Sequence, residues 1–113
     1  MGENLQKLWE IKFVNVWGEN MKDLQEMRKR IDEIDKELVK LFEKRLYVIF
    51  EINEYKKKHL LPIEDKNRER ELIKTNVSYC KNPEYSTYIV EFLECIISIS
   101  KKVQLDYRKI KND

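Results

Sequence analysis

Leu24, Met27, Ile31, Ile34, Leu38, Leu41, Arg45, Val48, Ile52 and Tyr55 succeed one another at steps of 3, 4, 3, 4, 3, 4, 3, 4 and 3 residues. A heptad spacing held this long places all of these side chains on one seam of a single long helix. Nothing breaks it: neither Gly nor Pro occurs between Met21 and Leu61, and Asn20 or Asp23 can cap the start. Roughly 36 residues rising ~1.5 Å each predict a helix of about 54 Å. Gly and Pro number only two each in the whole chain, and Ala is absent. So few breakers cannot serve the many turns of a β-sandwich or barrel. The chain is therefore predicted to be all-α.

Leu61-Pro62-Ile63 ends the long helix, because proline disfavours helical geometry in the residue before it. Asp65 can cap a second helix over residues 66–79. Asn82-Pro83, a cap followed by a first-turn proline, opens a third helix of about 25 residues. The stripe of that third helix reads Ile89, Phe92, Leu93, Ile96 and Ile97, then the polar Ser100 and Gln104, then Tyr107. Second and third helices of about 21 and 37 Å cannot cover an amphipathic helix of about 54 Å within one compact protomer. A second chain must finish the seam, and a symmetric homodimer that packs the long helices together is the simplest arrangement.

Residues 1–20 read as an N-terminal extension and residues 21–113 as the domain. Within the extension Leu5, Leu8, Trp9, Phe13, Val16 and Trp17 fit a helical stripe, whereas Trp9, Ile11 and Phe13 alternate like a strand. The residues leave an added helix, a docking arm and an upstream part of the domain all open.

Lys and Arg total 23 against 21 Asp and Glu, for a net charge of +2. This near-balance, mixed along every helix, offers no electrostatic surface for nucleic acid or membrane. No apolar run approaches the ~20 residues of a membrane span. Lys7, Glu10 and Lys12 interrupt residues 5–17, and no small-residue cleavage site follows, so this is not a secretory signal. Cys80 and Cys95, with His59 as the single histidine, make neither a disulfide framework nor a metal site. Two partly buried thiols in a reducing compartment are expected, and hence a cytoplasmic protein. There is also no Ser-His-Asp set and no Gly-rich phosphate loop. An enzyme built from these residues works without nucleophile, metal or cofactor, through positioning and electrostatics.

The informative residues are polar ones on faces that should be apolar. Arg45 interrupts the seam, and a buried guanidinium costs several kcal/mol unless an anion or water meets it. Lys56 follows eleven residues later, about three turns, on nearly the same face. Ser100 and Gln104 lie four apart on one side of the third helix, and Asp65 and Glu69 lie four apart at the start of the second. Together they can line a pocket for a small anion that also carries a hydroxyl. Each has a plainer reading as well. Arg45 can pair with a Glu on a neighbouring helix, and Lys56 can open a solvated Lys56-Lys57-Lys58 helix end. Asp65 can be only a cap, and Glu69 only a first-turn acid or a partner of Arg68. Ser100 can bond back to the carbonyl of Ile96, and Gln104 can sit at a fraying end.

The run Leu24-Gln25-Glu26-Met27-Arg28-Lys29-Arg30-Ile31-Asp32-Glu33-Ile34-Asp35 is followed by Leu38, Leu41, Arg45 and Lys56. Pro62-Ile63, Asp65, Arg68-Glu69, Ser100 and Gln104 complete the set. In this order and spacing they closely resemble the all-helical AroQ class of chorismate mutases, over about residues 22–107. The resemblance implies three helices per protomer, long first helices intertwined in a homodimer, and two equivalent sites without a cofactor. It implies the rearrangement of chorismate to prephenate on the way to Phe and Tyr. Arg45 would then bind a substrate carboxylate, joined by Arg28 from the other protomer. Lys56 and Gln104 would flank the ether oxygen, Glu69 and the backbone at Asp65 would hold the ring-hydroxyl region, and Ser100 would help place a carboxylate. Arg68 is read as an organiser behind the contact residues. Glu64 stands where some members carry a basic residue, which would weaken anion attraction at the rim. Two alternatives accompany this reading: a non-catalytic helical dimerisation or adaptor module, and a lyase on the same scaffold that removes pyruvate from isochorismate.

Overall fold

Without Gly or Pro to interrupt it, the first helix, α1, runs unbroken over Glu19–Lys58. The computed structural model of the chain describes residues 19–112; residues 1–18, with the apolar stripe of the N-terminal extension, and residue 113 lie outside the described residues. The start at Glu19 puts Asn20 and Asp23 inside the helix, so neither caps it. Helix α2 spans Lys66–Val77, a 3-10 turn Pro83–Tyr85, and α3 Ser86–Asn112. Among the described residues the chain is all-α, with three α-helices.

The end of α1 differs from expectation in its cause. Leu60 adopts a left-handed backbone with φ 56°. Its N–H donates to the carbonyl of Lys57 at 3.4 Å, and the N–H of Leu61 donates to that of Lys56 at 2.7 Å. This is the Schellman pattern, which satisfies the last carbonyls of a helix and usually takes glycine at the left-handed position. Pro62 stands beyond a stop already made. Helix α2 begins as the sequence anticipates: the Asp65 carboxylate accepts from the Arg68 N–H at 3.0 Å. The Asn82 side chain likewise accepts from the Glu84 N–H at 3.0 Å, but Pro83 then opens a tight 3-10 turn, and the α-helix proper starts at Ser86. The second helix also stops two residues earlier than read, at Val77.

The chain forms two compact units, Met1–Glu43 and Lys44–Asp113. In the first, every described side chain from 22 to 41 is exposed. The seam residues Leu24, Ile31 and Leu41 keep 41%, 55% and 60% of their surface in solvent. In the second unit α2 packs against α3, and the rest of α1 meets α3 through its side chains. Phe50 meets Tyr107 edge-on with ring centroids 4.5 Å apart, and Leu93 and Ile97 form the buried apolar core. Among the described residues three polar ones, Asn53, Ser100 and Gln104, are also buried. Polar groups outnumber apolar ones in this core, the reverse of an ordinary helical domain.

Leu60 is 93% exposed and makes little contact that a substitution would lose. Leu60→Gly removes the cost of a side chain in the left-handed region, partly offset by the greater freedom of glycine in the unfolded chain. A gain of about 0.5–1 kcal/mol is expected in urea unfolding of the purified protein. An equal or larger loss would show that the Leu60 side chain is needed where it stands.

Candidate active site

Two α1 residues placed by helical spacing, Arg45 and Lys56, face α3 and the segment that follows α1. With Ile49 and Ile52 they form one wall of a cavity of about 310 Å³. Ile63 and Asp65 contribute from the connecting segment, and Arg68, Glu69 and Leu72 from one face of α2. Ile97, Ser100, Lys101 and Gln104 close it from α3. The apolar side chains exclude water from the walls, while the polar ones converge on the interior. Such a volume and lining suit a small polar ligand.

Six of the seven residues singled out from the sequence line this one cavity: Arg45, Lys56, Asp65, Glu69, Ser100 and Gln104. Arg28, an exposed α1 residue of the first unit, is not among the lining residues. Arg45 donates through Nη1 to the Ser100 hydroxyl oxygen at 2.5 Å. That hydroxyl donates in turn to the carbonyl of Ile96 at 2.7 Å, leaving its lone pairs to the guanidinium. The back-bond to Ile96 therefore exists, and it orients the serine rather than idling it. Lys56 donates through Nζ to the carbonyl of Ile63 at 2.8 Å. Gln104 is only 4% exposed, so it is no fraying-end residue. Its amide nitrogen reaches the Ser100 carbonyl at 3.3 Å, and its carbonyl oxygen is buried without a partner.

Charge in the cavity is lopsided. The lining carries four cations, Arg45, Lys56, Arg68 and Lys101, against the carboxylates of Asp65 and Glu69. Asp65 spends its side chain on the α2 cap. Glu69 pairs with Lys101 at 2.7 Å. Among the described residues no carboxylate forms an ion pair with Arg45 or Lys56, so the expected Glu partner of Arg45 is not what holds it. Burial first, and the Arg68 guanidinium second, push Arg45 below arginine's ordinary value. Both causes disfavour the charged form, and both would be relieved by an anion. The hydrogen bond to Glu69 holds the Lys101 ammonium above its ordinary value, despite some desolvation.

Sequence reading missed Lys101. Half of a Lys101-Lys102 doublet, it looks like a solvated helix face, and only its place one residue after Ser100 could have drawn attention to it. Glu64, read as a source of repulsion at the rim, instead makes an ion pair with Lys101 at 3.4 Å. A second polar contact was also missed: Arg108 donates through Nε to Asn53 Oδ1 at 2.9 Å. Asn53 follows Phe42, Leu46 and Ile49 at a 4-3-4 spacing and so interrupts a second apolar row of α1, a signal that sequence reading centred on the Arg45 seam passed over.

The chorismate mutase type II family pattern matches residues 27–105. A bifunctional chorismate mutase/prephenate dehydratase of Aquifex aeolicus (strain VF5) is 32% identical over 95 residues, a stretch covering 77% of this chain and 26% of that protein. The chain thus spans about a quarter of its relative's length.

The cap at Asp65 makes a measurable separation of roles. Asparagine caps as well as aspartate, so Asp65→Asn should cost under about 0.5 kcal/mol of stability, whereas Asp65→Ala should cost about 1 kcal/mol. Urea unfolding of both variants checks this, and equal losses would mean that the cap contributes nothing.

Proposed function

The chain belongs to the chorismate mutase type II family, and from that premise we propose that its cavity rearranges chorismate to prephenate. The observation that carries the reading is the pair of cations, Arg45 and Lys56, that line the cavity beside the neutral hydrogen-bonding groups of Ser100 and Gln104 and, among the described residues, form no ion pair with a carboxylate. Chorismate brings two carboxylates, an ether oxygen and a ring hydroxyl. Arg45, steadied by Ser100, binds one carboxylate, and Arg28 of a second protomer reaches the site from outside. Glu69 and the backbone at Asp65 hold the ring hydroxyl. Lys56 has three N–H donors and spends one on Ile63; the Gln104 amide has two and spends one on Ser100. The remaining donors serve the ether oxygen.

The reaction is unimolecular: the ether C–O bond breaks as a C–C bond forms. Holding both carboxylates selects the compact conformer that is scarce in water. Negative charge then grows on the ether oxygen mainly in the transition state, so donors aimed there lower the barrier rather than merely tightening binding. No proton is transferred and no group of the protein is consumed. Cys80 is the partly buried thiol expected from the sequence, whereas Cys95 is exposed.

A homodimer completes the arrangement. The exposed seam from Leu24 to Leu41 is an apolar ridge, the kind of surface that a second copy buries. Purified protein should scatter light as about twice 13.9 kDa. Mixing inactive Arg28→Ala and Arg45→Ala chains should restore activity, since one site per heterodimer then receives both arginines. A folded, active monomer would defeat this part of the reading.

Turnover itself is tested by chorismate disappearance with the purified protein alone. Failure to consume chorismate would favour an adaptor role, and pyruvate release from isochorismate would favour the lyase. Lys56→Ala should lower kcat about 10²–10³-fold, as for loss of an oxyanion donor. An amide keeps its donors at every pH, so wild-type activity should stay nearly flat from about pH 5 to 8. Gln104→Glu donates only when protonated, and its activity should fall as pH rises through the carboxyl's titration. Identical profiles for the two proteins would remove Gln104 from the ether oxygen.

A further inference from the structure

Lys101 joins three elements of the second unit. It lies on α3, pairs with Glu69 in the first turn of α2 at 2.7 Å, and reaches Glu64 of the connecting segment at 3.4 Å. It also lines both the active cavity and a second cavity of about 630 Å³ outside it, so its side chain stands in the partition between them. Lys101 Nζ meets Glu69 and Glu64 each at Oε1. The Lys101 side chain is a third exposed and that of Glu69 about a fifth, so solvent screens the attraction and the pair serves geometry more than stability.

An unrestrained Glu69 would not stay where it is. Its cavity contains Arg45, Lys56 and Arg68, and a carboxylate on a flexible stem would swing towards them. There it would neutralise the cations that an anionic substrate needs, and its acceptor oxygens would leave the place of the ring hydroxyl. We propose that Lys101 is a positioning residue for the rearrangement. It pins Glu69 by one oxygen against the cavity wall, so that the other accepts from the substrate's ring hydroxyl while Arg45 and Lys56 stay open. The inference rests on the chorismate reading and adds to it a residue that acts only through Glu69. The weaker bond to Glu64 is secondary, because it is longer and more exposed.

The test is a double-mutant cycle on the full chain, read as kcat and KM for chorismate. Lys101→Met should lower kcat/KM about tenfold, mostly through KM, with thermal unfolding little changed. Lys101→Arg keeps the charge and should recover most of that loss. In a Glu69→Gln background, where no carboxylate remains to be pinned, adding Lys101→Met should cost less than about twofold. Glu64→Gln alone should leave kcat/KM within about twofold of wild type. Equal losses from Lys101→Met with and without Glu69 would overturn the proposal, since Lys101 would then act on substrate or fold directly. No loss in the single variant would overturn it too. Absence of turnover in the wild-type protein would instead sink the underlying reaction, so the two failures are told apart by the first measurement.

Discussion

A guanidinium half-buried beside neutral partners organises the second unit. Arg45 sits on the seam of α1, where its neighbours along the heptad are apolar, and its nearest acceptor is the Ser100 hydroxyl rather than a carboxylate. The arrangement costs stability, because burial and the nearby Arg68 both oppose the charge. The unit tolerates that cost by leaving a cavity open in front of the cation instead of packing it closed. Ser100 and Gln104 are buried on α3 opposite it, where Leu or Ile would pack better. The site is thus built from positions that an ordinary helical core would fill with hydrocarbon.

Lys56 is held by the segment it helps to fold. Its carbonyl accepts the Leu61 N–H at the helix stop, and its ammonium donates to the carbonyl of Ile63 two residues further on. The turn after α1 therefore wraps back around one residue and delivers Asp65, the α2 cap, to the edge of the same cavity. Local backbone chemistry and the placing of a charged side chain are here one event. The left-handed conformation at Leu60 is the local strain that this reversal requires.

The same economy explains the small apolar core. Among the described residues, the two buried hydrophobic ones, Leu93 and Ile97, give little stabilisation beside the exposed Ile31, Ile34, Leu41 and Val48 of one helix. In the proposed homodimer, a shared seam would supply both the missing burial and the Arg28 side chain that the proposed reaction needs. Stability and catalysis would then depend on the same association.

Helix content and the three-helix order were legible in the sequence, because each rests on local periodicity, while the six cavity residues singled out there were drawn together by the family resemblance as much as by spacing. A 3-4 spacing makes a helix face, and a polar residue within that face, as at Arg45, Ser100 or Gln104, stands out from it, although spacing alone leaves a structural pairing open. Asp65 as a cap was equally local. Leu60 as the true helix stop was not, since nothing in a leucine marks a left-handed backbone. Lys101 and Glu64 were hidden for a related reason: charged residues off the apolar stripe look alike until packing brings distant elements together. Whether Glu69 pairs with its helical neighbour Arg68 or with Lys101 depends on how α2 lies against α3, and the ion pair formed at 2.7 Å joins residues 32 positions apart. Periodicity along one helix determines which face carries charge; only the packing of separate helices decides which charges meet.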